Sequence, residues 1–348
     1  MKFYKTLQLA VIAIISLNSL KSLADLPEFK TADVQFWGDL FLSKRVLKKT
    51  GTTISEPNVF QNIEPLLKTA HVNIVNFEGV VSNSFVPFEM KSFLLNMPSD
   101  IPNILAASNI KYATLANNHS LDFGEQGLWG TMAALEEVGI EYAGAGANLR
   151  ESLIPLIIPI RTKTLCVMPF SRTLPASFWA KKNKAGTAYL DFEKTTLELK
   201  KCIDAGFFTV AVFHWGAELM PKPKEYQQKL ARLVIDAGVD VVIGHHPHIL
   251  QTVEIYKNKL IAYSIGNFAF GSLTKNRIQE GMAVRINLPT KALSKTRIEL
   301  VPINVDNNEV AFYPTLFASE ELEALSKQMP KDKRCSFQKE KISWVCIL

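Results

Sequence analysis

Short apolar runs alternate with amphipathic stretches along most of the chain. The run "DVQFWGD" reads as a strand ending at Gly38-Asp39. In "NVFQNIEPLLKTA", Val59, Ile63, Leu66 and Leu67 recur at helical spacing, which predicts one amphipathic helix. "VNIVNFEG" is a second strand, "DIPNILAASN" a helix opened by an Asp cap and a proline, and "KYATLANNHS" a strand running into a polar tip. "EQGLWGTMAALEEVG" predicts a helix closed by Gly139, and "EYAGAG" and "TLCVMPF" predict further strands. The rhythm repeats in "FEKTTLELKKCIDAG", "FTVAVFHWG", "EYQQKLARLVIDAG" and "DVVIGHH", read as helix, strand, helix, strand. From Thr252 onward the pattern becomes strands joined by turns, with Lys257-Asn258-Lys259 as a hairpin tip. Strand–helix alternation argues for βαβ units and an α/β fold, and the β-rich finish predicts a second sheet packed on the first. The stretch 315–348, rich in Lys and Glu, is expected as a peripheral helix and tail.

The first 24 residues follow another logic. Lys2 and Lys5 precede an apolar run over residues 7–17, and Ser22-Leu23-Ala24 supplies small residues around a cleavage point. This is the pattern of a secretory signal, with Asp25 as the mature start and a periplasmic or secreted destination. A retained N-terminal anchor stays open, although the run is short of the ~20 apolar residues a spanning helix needs. No later run is long enough to span, so no transmembrane span is expected after cleavage, and 25–314 is expected to form the main domain. Removing Lys2, Lys5 and Lys21 takes the formal charge from +6 to +3. That mild, scattered excess has no basic stripe interleaved with aromatics, so nucleic acid is not an expected partner.

Export permits disulfides. Of the 4 cysteines, Cys335 and Cys346 flank a short tail segment and either staple it or stay free. Cys166 and Cys202 read as buried apolar residues in a strand and a helix. No CxxC occurs, which removes zinc-knuckle and thioredoxin-like readings.

The chemistry-bearing residues share one location. Asp39, Asn76, Glu78, Asn117, Asn118, His119, His214, His246 and His248 fall at, or just past, the C-terminal ends of expected strands. That edge carries ligand sites in open α/β sheets. Of the 6 histidines only His71 lies outside three strand-end motifs, and "GHHPH" holds three of them. Two readings stay open here: a metal or phosphate site, or a polar crevice without metal. Carboxylates with neutral imidazoles and an amide oxygen suit Mn, Zn or Fe, as one ion or two. A pair of ions bridged by a carboxylate can activate water and clamp developing charge on phosphorus. Other catalytic patterns are missing: the chain has no GxSxG elbow, P-loop or HExxH. "GAGANL" reads as a tight connection, and Glu136-Glu137 and Glu320-Glu321 read as solvated helix faces.

The motifs "FWGDLFL", "NFEG", "TLANNHSLDFGEQGL", "VFHWGAEL" and "VIGHHPHILQTVEIYKNKLIAYSIGNFAFG", in this order, resemble the CapA family. These are poly-γ-glutamate capsule-synthesis proteins of the calcineurin-like metallophosphoesterase superfamily. The resemblance runs from about Asp33 to Pro314. It implies a four-layer α/β/β/α sandwich around a two-metal site. It also implies Asp39 as an acid ligand of the first metal and Glu78 in place of a bridging aspartate. Asn118, His214 and His246 resemble ligands of the second metal, His248 a ligand of the first, and His119 the histidine acting on the leaving group. Asn76, Asn117, Asp122, Glu218, Glu254 and Asn267 are implied as substrate contacts or supports, and His245, which matches no assigned position, joins them. The superfamily's first motif is Asp-x-His, whereas position 41 is Phe, which removes one imidazole. The family's GDxMLGR reads here "GDLFLSKR", with Ser43 in place of Gly and the arginine displaced to Arg45.

Three functions follow from this reading. The first is an exported metal-dependent hydrolase of phosphoesterase type, with His119 as general acid. The second is a non-catalytic component of surface-polymer assembly that binds a polyanion. The third is an amide-cleaving enzyme acting on the polymer. A phosphoester or an anionic polymer is the expected substrate, with envelope capsule-synthesis proteins as partners.

Overall fold

Alternation along each strand sorts its side chains onto two faces, and the layers follow from that sorting. A computed structural model describes residues 29–81, 86–87, 91, 93–271, 280–289, 295–318 and 321–348. The expected signal segment, 1–24, lies outside the described residues.

In the strand Ala32–Phe41, Val34 and Phe36 face one way and Trp37 the other. Val210 and Val212 oppose Ala211 and Phe213 in Phe208–His214, and Val241 and Ile243 oppose Val242 in Val241–His245. The first set from each strand joins one apolar cluster between two sheets. The opposite set joins a separate cluster beneath the helices on each outer face. Three apolar layers separate four layers of secondary structure, so the expected α/β/β/α sandwich is the architecture found.

The first sheet runs, in spatial order, through Cys335–Gln338, Ser343–Ile347, Arg297–Asn304, Glu280–Asn287, Ala32–Phe41, Ala70–Phe77, Tyr112–Thr114 and Glu141–Ala143. The second runs Val253–Tyr256, Lys259–Ala262, Val241–His245, Phe208–His214, Lys163–Ser171 and Leu156–Ile160. At the centre of each sheet the strands are parallel, so their C-terminal ends share an edge. The helix Gly124–Glu137 covers the first sheet, and Phe192–Asp204 and Glu225–Ala237 cover the second.

Several local expectations change. The helix expected over 58–70 is broken into a short 3-10 turn, Asn58–Phe60, and the helix Glu64–Lys68. Pro65 at its start lacks the N–H that a continuous helix would use. Val59, Ile63, Leu66 and Leu67 are nevertheless all buried, as the spacing required. Asp100 precedes Ile101–Ala107 but makes no side-chain cap bond. The edge strand Leu156–Ile160 was not anticipated. Residues 315–348, expected as a peripheral helix and tail, place three strands in the first sheet and bury Leu322, Leu325, Met329 and Trp344 between the sheets. Cys335 and Cys346 form a disulfide. Cys166 and Cys202, expected as unpaired core residues, also form one, tying Lys163–Ser171 to the helix on its outer face. The helical pattern showed Cys202 facing inward but not which strand residue it would meet.

Candidate metal centre

The polar strand ends converge because backbones approach closely at this edge. Asp39 stands in register with Asn76 on one neighbouring strand and with Asn267 on the other, after an irregularity between Trp37 and Asp39. Gly38 permits this, since a Cβ there would lie 2.1 Å from the Gly266 carbonyl oxygen. On the second sheet His214 and His245 are register partners. Gly244 passes beneath Tyr263, whose carbonyl oxygen would lie 1.9 Å from an added Cβ. The chain then turns sharply, with φ of 93° at His246 and 58° at His248. Positive φ is costly for residues with a Cβ and is concentrated at functional sites.

Asp39, Glu78, His119, His214, His245 and His246 are buried, and each belongs to one connected network. The Asn76 amide nitrogen lies 2.8 Å from Asp39 Oδ1 and 3.2 Å from His214 Nδ1. The other ring nitrogen, His214 Nε2, is 2.7 Å from Asn118 Oδ1. Asp39 is enclosed further by His245 Nδ1 at 3.1 Å, His248 Nδ1 at 3.1 Å and the His246 N–H at 3.2 Å. His248 Nδ1 also lies 2.9 Å from Asn267 Oδ1, which leaves its Nε2 directed at Glu78, 3.7 Å away. Asn117 donates to the Phe77 carbonyl and accepts from the His119 N–H and the Ser120 hydroxyl, bracing the tip that carries Asn118 and His119.

Glu78 stands at the centre. Its carboxylate has the Nε2 atoms of His214, His248 and His119 at 3.7, 3.7 and 3.9 Å, too far for hydrogen bonds. Both carboxylate oxygens, and Nδ1 of His246, are buried with no hydrogen-bond partner among the described residues. An unpaired buried charge is costly unless something neutralises it. Burial accordingly pushes the Glu78 carboxyl well above its usual range. Burial also acts on Asp39, but the His245 and His248 imidazoles beside it outweigh that and hold the carboxyl well below its range. His246 is pushed down to about 3 by burial, then by the neighbouring His248 charge. Burial likewise lowers His214. His248 goes the other way, raised to about 10 because the Glu78 and Asp39 carboxylates outweigh its burial.

The donors fit a divalent ion. One ligand atom each from Glu78, His214 and His246 lies within 4.8 Å of the others, and the same holds for Asp39, Glu78 and His248. Glu78 belongs to both groups, and its two unpartnered oxygens are what a bridging position requires. Carboxylate and imidazole without thiolate suit Zn, Mn or Fe.

His119 is set apart from these donors. Its Nδ1 lies 2.7 Å from Asp122 Oδ2, so its Nε2 faces Glu78. Burial lowers its pKa, and Asp122 partly restores it. Lys91 reaches the same pair, with Nζ 2.5 Å from Asp122 Oδ1, 2.8 Å from His119 Nδ1 and in contact with the Asn118 carbonyl.

Comparison with known proteins bears on this arrangement. Residues 33–272, more than half the chain, match the family described as bacterial capsule synthesis protein PGA_cap. The chain belongs to that family. Two curated relatives carry its name. The PGA biosynthesis protein CapA of Bacillus subtilis is 28% identical over 91% of this chain and 84% of its own length. The capsule biosynthesis protein CapA of Bacillus anthracis is 27% identical over 77% and 66%. Among solved structures, the sulfate thiohydrolase SoxB of Thermus thermophilus aligns over 87% of this chain and 60% of its own. At 12% identity and a TM-score of 0.47, that likeness is too distant to bear on function.

Within this capsule-synthesis framework, the residues singled out from sequence divide cleanly. Asp39, Asn76, Glu78, Asn118, His119, Asp122, His214, His245, His246, His248 and Asn267 meet in one network, and Asn117 braces it. Glu218 is exposed, but its carboxylate lies within 4.8 Å of ring nitrogens of His246 and His248. Glu254 is elsewhere, pairing with Arg232 at 3.0 Å and accepting from the Tyr263 hydroxyl at 2.7 Å. Lys91 was missed, because "FEMKSF" carries no periodicity or motif that marks its lysine.

Proposed function

We propose that the chain is a metal-dependent hydrolase of phosphoesterase type. It is exported and acts in poly-γ-glutamate or capsule polymer biosynthesis, on a phosphoester or an anionic polymer and alongside envelope capsule-synthesis proteins. The observation that carries this is Glu78, a fully buried carboxylate whose oxygens are both unpaired and face three imidazoles.

Glu78, Asn118, His214 and His246 would hold one ion, and Asp39, Glu78 and His248 a second. Mn, Zn or Fe bound there supplies Lewis acidity toward a phosphoryl oxygen and toward water. His119 serves as general acid. Asp122 accepts its Nδ1–H, fixes the ring and supports its charge when Nε2 carries the proton that goes to the leaving oxygen. Lys91 holds the other Asp122 oxygen, so the pair is clamped from both ends. Asn76 orients Asp39 and His214 together, and Asn267 orients His248, as buried partners commonly do for metal-ligating side chains.

The test is direct. The protein is purified, loaded with Mn, and assayed on an aryl phosphate monoester and diester. His119→Ala is expected to lower turnover by about 10²–10⁴-fold while bound metal stays unchanged. Wild-type turnover that is absent, or insensitive to His119→Ala, sinks the hydrolase reading.

One observation favours a second reading, a polyanion-binding assembly component without catalysis. Position 41 offers a phenyl ring where the superfamily pattern has an imidazole, and that ring packs on Phe270 at 5.5 Å. Ion uptake and polyglutamate binding without turnover would support it.

A further inference from the structure

Phe41 leaves one ion with three protein donors, and Phe270 closes that flank of His248, its ring centred 4.6 Å from the imidazole. A replacement donor must therefore come from another side. The loop after Phe208–His214 supplies a carboxylate there. Ligand atoms of Glu218, His246 and His248 all lie within 4.8 Å of one another. Donors on a shared ion at ~2.0–2.2 Å fall inside that spacing. This trio draws one histidine from each of the other two donor groups, so Glu218 stands beside a member of each.

The loop is not free to drift. The Leu219 N–H donates to the Pro247 carbonyl at 2.8 Å, directly between the two histidines. The Gln251 amide donates to the Met220 carbonyl at 2.8 Å. The Gly216 N–H donates to the Tyr226 hydroxyl at 2.7 Å. Residues on either side of Glu218 are thus bound to the His246–His248 turn and to the helix beneath. The Glu218 carboxylate itself forms no ion pair or hydrogen bond among the described residues.

We propose that Glu218 is a metal ligand, the oxygen donor that replaces the imidazole lost at position 41. This rests on the metal-site reading above but adds a donor which the Asp-x-His pattern lacks.

The test uses the chelator-stripped full-length protein and Glu218→Gln, an isosteric change at an exposed position. Mn and Co are titrated into each, with uptake followed by calorimetry and elemental analysis and the cobalt site by visible absorption. Glu218→Gln is expected to lose one ion or bind it about 100-fold more weakly. Its cobalt spectrum is expected to shift as an oxygen donor is lost, and its metal-free melting temperature to match wild type. Wild-type stoichiometry, affinity and spectrum in Glu218→Gln would overturn this inference and leave the metal site standing. Weakened affinity with an unchanged cobalt spectrum would also overturn it, because charge alone would then account for the effect. A wild type that takes up no ion would overturn both.

Discussion

Glu299 and Glu78 both lie in the first sheet or at its edge, with 4% and 0% of their surface exposed. Around Glu299 both carboxylate oxygens are paired. Arg285 donates to Oε2 at 2.8 Å, and the Ser343 hydroxyl donates to Oε1 at 3.0 Å. Arg285 in turn donates to the Lys30 carbonyl and the Thr69 hydroxyl. Glu78 has no hydrogen-bond donor within reach, only ring nitrogens at 3.7–3.9 Å. The fold can satisfy a buried carboxylate and does so where the role is structural. Where it leaves both oxygens bare among imidazoles, the ion proposed above is the partner that would complete it.

The comparison can be broken most sharply by neutralising each glutamate in metal-free protein. Glu299→Gln strands Arg285, whose guanidinium burial already pulls down to about 10. Breaking a buried pair from one side costs about 3–5 kcal/mol, read by denaturant unfolding. Glu78→Gln removes a carboxyl that no hydrogen bond holds, so stability is expected to stay level or rise by less than about 1 kcal/mol. Similar losses in both variants would show that Glu78 is satisfied after all.

A smaller effect comes from adding the ion. At about 100 times its dissociation constant, a divalent ion is expected to stabilise wild type and Glu299→Gln alike by about 2.7 kcal/mol. Glu78→Gln should gain nothing in the same thermal scan.

A separate effect concerns a third glutamate, Glu280, only partly withdrawn from water. Burial raises its carboxyl from 4.5 to about 7. Below 4.5 it is protonated whether the chain is folded or not. As pH rises toward 7 the folded state retains a proton that the unfolded state has released, so this contribution to stability is lost across that window. Glu280→Gln should flatten stability against pH between about 4.5 and 7, while a slope equal to wild type would show that Glu280 is solvated.

Much of this is legible in the sequence. The strand ends carrying Asp39, Asn76, Glu78, Asn118, His214 and His246 are visible because short apolar runs stop abruptly at polar residues. The β-rich finish pointed to a second sheet, but its strands divide: Val253–Tyr256 and Lys259–Ala262 join the second sheet, while Glu280–Asn287 and Arg297–Asn304 join the first. What escaped depends on contacts between distant segments. Lys91 gains meaning only through Asp122 and His119, which sequence cannot place beside it. Glu254 sits in a motif yet turns to Arg232, a partner 22 residues away on a neighbouring helix. Cys166 and Cys202 each read as apolar core, and only the seating of the helix Phe192–Asp204 on the strand Lys163–Ser171 brings them together. The strands Cys335–Gln338 and Ser343–Ile347 were hidden by a charged composition that suggested a solvated arm.

The most direct measurement is a calorimetric titration of Mn or Zn into chelator-stripped wild type and Glu78→Gln, with bound metal counted after gel filtration. Retained ion in wild type and none in Glu78→Gln is the expected result. Equal binding by both, or none by wild type, would contradict the claim that Glu78 is kept unpaired for a cation.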